Sequence, residues 1–556
     1  MTLKMRSALF ALLPIASSLR FGVRMSAPRR SGAARCVASI DKPTSTFTDE
    51  ISAEQPLHVL IAGAGVGGLA LANCIELANN PKMTYTVLER TSEFRKFGGP
   101  IQLASNAMES FKDIDAELYS EIEERATWTG NRTNGIKDGI RNEWYAKFDL
   151  ESPARTRGMP YTCVVERPDL QEILMRRTSE NIRTSAGVES YRTDEKGRVV
   201  AKLGTGEEVT GDVLIGADGI WSNVRASMTG KPARGPESGV SYSGYTVFAG
   251  ELNYDGGDPE CGYKVYIGPQ QYFVITDIGR GRYQWYAFLA RPADSEASEP
   301  KPEGQSKYLQ NLFDGWSEEI HDILRVTQEH EIEQRDLYDR PPSVLKPWTK
   351  GNVALLGDAI HAMMPNLGQG GCQAIEDAKV IAEKLADTAR RSEVESALAS
   401  YRDTRLTRSA SVQGLSRFAS DIIIRGFDTP CKVGMYDGKF LCENLNYAGV
   451  VTRLLQPILP VFFAVQFAFL YDGWDNKWSP ESFRIGVTIA GLGLLFLAAF
   501  AATAGTEVAL IGGGIEGALS GLLGVEAFEA ASVFFAEQSA AFSSFIESIG
   551  GSAGGI

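Results

Sequence analysis

The first clear pattern along the chain starts at Leu57, where Leu57-His58-Val59-Leu60-Ile61-Ala62 forms an apolar run. Such a run predicts a strand buried on both faces. Leu69 to Leu77 is helical in composition, and Tyr85-Thr86-Val87-Leu88 is a second β-type run. Val213-Leu214-Ile215 and Val353-Ala354-Leu355-Leu356 predict two more buried strands, each ending at a glycine. Residues 240–290 are dense in Tyr, Phe, Val and Gly and often alternate. Within them Tyr242 to Phe248 and Tyr272 to Ile275 predict antiparallel strands. Residues 373–425 read as helices, and residues 42–56, polar with two prolines, as a linker. The class is α/β: a Rossmann-like dinucleotide-binding domain interleaved with an antiparallel-sheet substrate domain, followed by a helical C-terminal tail.

The two ends break this pattern. The first 40 residues hold seven Lys or Arg and no Asp or Glu, with a short apolar run from Ser7 to Ala16. That run is too short to cross a bilayer. It reads as a signal-type core followed by an Arg-, Ser- and Ala-rich transit segment. The arrangement resembles the two-part presequence of algae whose plastid lies within the secretory system; a single mitochondrial or plastid transit peptide is the alternative. Residues 1–45 are assigned to this address. At the other end, 485–506 carries no charge between Arg484 and Glu507. As a helix it would reach about 33 Å, enough to span a bilayer; a helix buried against the enzyme is the alternative. No Lys or Arg follows Arg484, which leaves the large domain on the stromal side of a thylakoid membrane. The segment 430–480 reads as apolar and helical. Within it Leu454 to Tyr471, broken by Pro457 and Pro460, predicts an interfacial or groove-packing helix rather than a second span.

Composition narrows the chemistry. The 556 residues carry 56 basic and 69 acidic side chains, a net charge of −13. Removing the basic leader leaves 49 against 69, about −20, so nucleic acid is an unfavourable partner. Seven cysteines without a C-x-x-C pair suggest neither a disulfide scaffold nor zinc, and four histidines offer little for any metal.

Three motifs carry chemistry. Gly63-Ala64-Gly65-Val66-Gly67-Gly68 lies between the first strand and the first helix. Its first glycine permits the tight turn, its second lets backbone approach a pyrophosphate, and its third lets helix and strand pack closely. Glu89 ends the next strand, where a carboxylate can accept both hydroxyls of a ribose. The second motif is Gly216-Ala217-Asp218-Gly219-Ile220-Trp221-Ser222-Asn223-Val224-Arg225. The third is Gly357-Asp358-Ala359-Ile360-His361, running into Pro365-Asn366-Leu367-Gly368-Gln369-Gly370-Gly371-Cys372. In each, an acid stands at a strand end and can hold a sugar-like hydroxyl. The glycines of the third open a helix whose free N–H groups can face an anion. Gly512 to Gly517 repeats the glycine spacing, but only 39 residues follow it, too few for another such domain.

Together these motifs resemble the FAD-dependent monooxygenases that include the aromatic hydroxylases. The likeness runs from Leu57 to about Arg425. Gly99-Pro100-Ile101-Gln102, Thr129-Gly130-Asn131-Arg132, Trp144 to Asp149, Gln284 to Phe288 and Arg335 to Pro342 are similar to the xanthophyll-epoxidising branch of that family. Plant members of the branch carry a forkhead-associated module at the C-terminus, and no comparable sheet-forming segment is read here.

The resemblance implies a FAD-binding domain over 57–225 and 335–425 and a substrate-binding sheet domain over 226–334. It implies that Gly63, Gly65 and Gly68 hold the FAD pyrophosphate and Glu89 the adenosine ribose. Asp218 would lie by the pyrophosphate, Asp358 would hold the ribitol or phosphate-linked end, and the loop Gly368-Gln369-Gly370-Gly371 would follow the pyrimidine edge. Arg90, Arg167 and Pro365 complete the implied cofactor set. The implied reaction passes through a flavin C4a-hydroperoxide that epoxidises the ring double bonds of a xanthophyll, zeaxanthin to antheraxanthin to violaxanthin. NADPH or reduced ferredoxin would supply electrons. A same-fold aromatic or terpenoid hydroxylase and a non-catalytic pigment-binding flavoprotein are the alternatives. No side-chain nucleophile is required. His361 is a candidate proton donor, or else a residue that orders its loop. Cys372 reads mainly as a small packing residue, although a helix start favours a thiolate. The aromatic sheet at 240–290 either walls a long cavity for a carotenoid or is an ordinary sheet core.

Overall fold

The computed structural model describes residues 48–94, 99–268, 270–343, 345–425, 430–436 and 439–446, together with 463, 466, 467 and 469–471. The expected leader at 1–45, the candidate span at 485–506 and the glycine run at 512–517 lie outside the described residues. Among the described residues no helix is long and apolar enough to cross a membrane.

Strand β1 (Leu57–Ala62) is buried along almost its whole length, as its continuous apolar run requires. It pairs in parallel with β2 (Met83–Leu88) on one side and β3 (Val213–Gly216) on the other. Beyond β3 lies β4 (Val353–Leu355), also parallel. Ile182–Arg183 and Thr349–Lys350 close the two edges of a six-stranded sheet. Helix α1 (Val66–Leu77) connects β1 to β2. It is buried on nearly every face from Gly67 to Ile75, because the sheet lies on one side and helix α2 (Gly370–Ala386) on the other.

The second sheet has seven strands in the order Glu333–Asp339, Ser241–Asn253, Arg282–Ala290, Gln271–Gly279, Cys261–Gly268, Thr133–Asp138 and Trp144–Phe148. Its neighbours are antiparallel except at Cys261–Gly268 and Thr133–Asp138. This is the expected antiparallel sheet, with wider membership than 226–334. Two strands come from 133–148, inside the stretch assigned to the nucleotide-binding domain, and one edge comes from 333–339. Alternation along each strand divides the apolar side chains between two faces. Phe248, Phe273 and Trp285 pack with Phe313 and Trp316, between the helices Gln305–Leu312 and Glu318–Val326, and with Ile320 of the second. Tyr245, Val247, Val265, Tyr272, Val274 and Phe288 gather on the opposite face.

Helix α3 (Val394–Arg425) ties the two sheets together. Tyr401 Oη donates to Leu355 O at 2.9 Å, Gln413 Nε2 donates to Arg340 O and Ala362 O, and Arg417 Nη1 contacts both oxygens of Asp339 at 2.7 Å. Tyr245 Oη donates to Ser420 O at 2.6 Å.

Two segments differ from the sequence reading. Residues 430–480 are not helical throughout. Pro430–Tyr436 and Lys439–Asn446 form an antiparallel hairpin, because composition alone does not separate a short apolar strand from a helix. Further on, residues 463, 466, 467 and 469–471 are helical, and Phe469, Leu470 and Tyr471 are buried against Val412, Ala154 and Met159. This part of Leu454–Tyr471 packs in a groove, one of the two expected placements. The described part of the 42–56 linker is also fastened down. The Arg391 guanidinium donates to Thr48 O, Glu50 O, Gln55 O and Pro56 O, and its Nε to Asp212 Oδ1 at 3.0 Å.

Candidate active site

The glycine turn has the division of labour its spacing implies. Gly63 has φ 108°, and a Cβ there would lie 2.5 Å from Ala217 O. A Cβ at Gly68 would lie 2.0 Å from Gly63 O, so this glycine lets helix and strand touch. A Cβ at Gly65 would meet nothing within 4 Å. Gly65 therefore faces space and not protein. It is also the N-cap of α1, which has no side-chain cap and no acid in its first turn. The first N–H groups of the helix are left for a ligand with negative charge.

Glu89 stands at the end of β2 with its carboxylate turned to the same turn. Oε2 accepts from Ala64 N at 2.7 Å and Oε1 from Thr91 N at 2.8 Å. Asp218 follows β3. Its Oδ2 accepts from Asn223 N at 2.8 Å and Val224 N at 3.1 Å, whereas its buried Oδ1 has no partner. Burial raises its carboxyl pKa, against the pull of Ser222 and the backbone donors. Asp358 is open to the cavity described below, yet protein surrounds it closely enough that desolvation raises its pKa too, against the opposing charges of His361 and Arg167.

Part of this set borders one cavity of about 690 Å³, within the roughly 300–1,000 Å³ usual for a cofactor or ligand site. Gly65, Arg167, Asp358, Pro365, Gly368, Gly370 and Gly371 line it. Helix α2 starts there with no side-chain cap and no acid in its first turn. The cavity continues onto the aromatic face of the second sheet, past Tyr263, Tyr272, Tyr286 and Phe288, to Phe148, Phe463 and Phe467. Tyr272 and Phe288 stack with centroids 4.2 Å apart and planes 9° from parallel. The two readings of the 240–290 sheet are thus divided between its faces, one packed as core and the other lining the cavity.

Several candidates stand behind the lining. Gly63 and Gly68 shape the turn, Glu89 braces it through Ala64 N, and Asp218 accepts from the N–H groups of Asn223 and Val224. Gln369 is buried and turned inward, accepting from Asn106 Nδ2 at 3.1 Å and Gln373 Nε2 at 3.2 Å. Arg90 is exposed and does not line the cavity; its Cβ lies beside Gly187. His361 does not line it either. Its Nε2 lies 2.6 Å from Asp377 Oδ2, and that oxygen accepts from Gly357 N at 3.0 Å, so His361 orders the loop that carries Asp358. Cys372 is buried, with its thiol pKa pushed up to about 12 by burial, and the thiolate favoured by a helix start does not form.

Sequence reasoning missed part of the cavity wall. Phe148 lies in the Trp144–Asp149 stretch of the family likeness but was given no place at the site, and Phe463, Gln466 and Phe467 sit in an apolar tail without a motif. It also missed the charge network beneath α2. Arg405 and Arg408 of α3, both buried, pair with Glu376 and Asp377 of α2.

The uncovered helix starts, the space beside Gly65 and the orphaned Oδ1 of Asp218 fit a ligand with a pyrophosphate and sugar hydroxyls. Comparisons agree. Residues 56–416 match the family model described as FAD binding domain. The chain is 37% identical over 395 residues to "Zeaxanthin epoxidase, chloroplastic" of Spinacia oleracea, covering 69% of this chain and 57% of that protein. It is 41% identical over 369 residues to the protein of that name from Arabidopsis thaliana, covering 64% and 53%. The chain therefore spans little more than half the length of these relatives. Among solved structures, Klebsiella pneumoniae HpxO complexed with FAD and uric acid gives a TM-score of 0.60 at 21% identity, covering 74% of this chain and 96% of that one. A salicylate hydroxylase substrate complex gives 0.57 at 20%, covering 75% and 98%. At these identities the structures speak for the fold.

Proposed function

The chain belongs to the FAD binding domain family, and on that premise we propose that it is a FAD-dependent monooxygenase epoxidising the ring double bonds of a xanthophyll, zeaxanthin to antheraxanthin to violaxanthin. The observation that carries this reading is the continuity of the cavity, from Gly65 and Asp358 to the aromatic wall at Tyr272, Phe288 and Phe463.

In this reading Gly65 and the first turn of α1 hold the pyrophosphate, with Gly63 and Gly68 fixing the turn. Glu89 holds the adenosine ribose. Asp218 lies by the pyrophosphate and Asp358 takes the ribitol end. Arg167, Pro365 and Gly368 to Gly371 frame the ring system, with Gln369 holding that loop from behind. Arg90 would serve only if it swung in from the surface. Bound FAD supplies the activation of dioxygen; the protein supplies position, dryness and polarity. The uncapped start of α2 favours negative charge beside Gly370 and Gly371 by about 1–2 kcal/mol. The apolar far wall keeps water from the reacting ring. An alkene needs no base to make it nucleophilic, so the reading assigns no side-chain base.

NADPH or reduced ferredoxin delivers electrons. The described residues contain one strand–glycine–helix unit of this type, so NADPH would act without a Rossmann unit of its own. The reading places the protein in a plastid at the thylakoid membrane, stromal side, where a lipid-soluble polyene resides. The names of its relatives support the plastid, and the apolar tail sequence supports the membrane. Incubation with zeaxanthin, oxygen and either reductant, followed by pigment chromatography, tests it. Antheraxanthin and violaxanthin are the expected products; zeaxanthin recovered unchanged with both reductants refutes the reading.

A further inference from the structure

The cavity wall around Phe148 contains a polar side chain with no hydrogen-bond partner among the described residues. Gln466 lines the cavity and is 6% exposed. Phe463, Gln466 and Phe467 are each helical and stand at i, i+3 and i+4, the spacing of one helical face. Phe463 meets Phe148 edge-on with centroids 4.5 Å apart, and Phe467 lies 6.2 Å from the same ring. Leu415 and Met363 also border this region.

A primary amide carries two donors and an acceptor. Buried amides elsewhere in the lining are at least partly engaged. Asn134 Nδ2 donates to Thr129 O and Arg132 O, and Asn366 Nδ2 reaches Tyr272 Oη. Gln466 has no hydrogen-bond partner among the described residues for its nitrogen or its oxygen. A buried amide among phenyl rings is unfavourable unless something pairs with it. The helix is also firmly placed. Arg408 Nη2 donates to Leu470 O at 2.7 Å, and Tyr471 Oη lies 3.1 Å from Thr162 Oγ1. The unpaired amide is therefore held at the cavity and not merely passing through it.

We infer that Gln466 is a specificity residue, which hydrogen-bonds the hydroxyl group on the ring of an otherwise hydrocarbon substrate. The inference rests on the epoxidase reading for the identity of that ring. The phenyl groups around Gln466 accept the hydrocarbon, and its amide selects the hydroxylated ring over the bare one. A site built to pair with a hydroxyl discriminates against an analogue lacking it, because the buried amide is then left alone.

The test uses the full-length FAD-loaded protein without reductant and reads binding by fluorescence quenching. The probes are two ring-sized compounds, hydroxy-β-ionone and β-ionone. The wild type is expected to hold the hydroxylated probe about tenfold more tightly, the worth of one hydrogen bond in a buried site. In Gln466→Leu that preference falls to near unity, with β-ionone bound at least as well as before. Gln466→Met, closer in shape, repeats the test if the leucine variant loses its FAD. Equal binding of the two probes by the wild type overturns the inference, and so does a preference that survives in either folded variant. The readout needs no turnover. A protein that discriminates between the probes but forms no epoxide refutes the epoxidase reading alone, and one that forms epoxides without discrimination refutes only the role of Gln466.

Discussion

Arg408 and Glu376 form a two-bond pair in the interior, Nε to Oε2 and Nη2 to Oε1, each 2.7 Å long. The same Nη2 donates to Leu470 O, so one guanidinium joins the helix that starts at the glycine loop to the segment that closes the far wall. Arg405 adds a second cation to Glu376 and reaches Asp377 Oδ1 at 2.7 Å. Removing one partner of a buried pair leaves a charge without compensation, at about 3–5 kcal/mol. Arg408→Leu is expected to cost that much in urea unfolding and to weaken packing at Tyr471. A loss below about 1 kcal/mol would show that the pair does not hold the tail.

The glycine turn predicts two substitutions with opposite signatures. Gly65→Ala places its methyl in open space, so stability changes by no more than about 0.5 kcal/mol. FAD affinity falls at least tenfold, because the methyl stands where the pyrophosphate approaches. Gly68→Ala presses on Gly63 O and costs about 1–3 kcal/mol or more. Thermal melts and retained flavin absorbance separate the two. Equal flavin content in Gly65→Ala and the wild type would remove Gly65 from the cofactor site.

Thiol reactivity provides a third check. Cys74 and Cys372 are buried, each with its pKa pushed up to about 12 by burial, and Cys163 is raised further. A thiol is reactive only as its thiolate. Maleimide at pH 8 is expected to leave all three unlabelled in the folded protein and to label them after unfolding. Peptide mapping that finds Cys372 modified in the native state would show that its thiol is accessible and ionised despite its burial.

Acid stability has a defined sign. Burial alone would raise the carboxyl pKa of Glu376 and of Asp377. Arg408 and Arg405 overcome this for Glu376, and His361 and Arg405 for Asp377, so both fall below their ordinary 4.5 and 3.8. A lowered folded pKa gives stability that is present above the unfolded value and lost as pH falls through the folded one. The contribution is complete above about pH 4.5 to 5 and declines below. Glu376→Gln combined with Arg408→Met should flatten the acid limb of melting temperature against pH. Equal slopes in the double variant and the wild type would mean that Glu376 takes no part in it.

What the sequence disclosed was whatever one short stretch encodes. A strand buried on both faces must be apolar throughout, and the turn after it must be glycine, so β1, the Gly63–Gly68 turn and Glu89 were all legible. Gly370 and Gly371 were legible for the same reason. The strands Thr133–Asp138 and Trp144–Phe148 were not assigned to the second sheet. Thr133-Asn134-Gly135-Ile136-Lys137-Asp138 has little alternation, and it becomes a strand by pairing with Cys261–Gly268 more than a hundred residues later. Glu376 and Arg408 are 32 residues apart, and each alone reads as an exposed face of a polar helix. Arg90 enters the cofactor set only through the family likeness; it is exposed and does not line the cavity. Gln466 stands in an apolar run, where its neighbours mask it. Only its position on the cavity distinguishes it from a chance polar residue.

Arg391 fastens the chain that leads into the first strand. Its guanidinium collects carbonyl groups from Thr48, Glu50, Gln55 and Pro56, which makes those nine residues part of the enzyme's body. Shortening the chain past Thr48 would therefore cut into this folded body. A cut further in would strip the guanidinium of its acceptors next to Asp212 and loosen the edge from which the first nucleotide-binding strand begins.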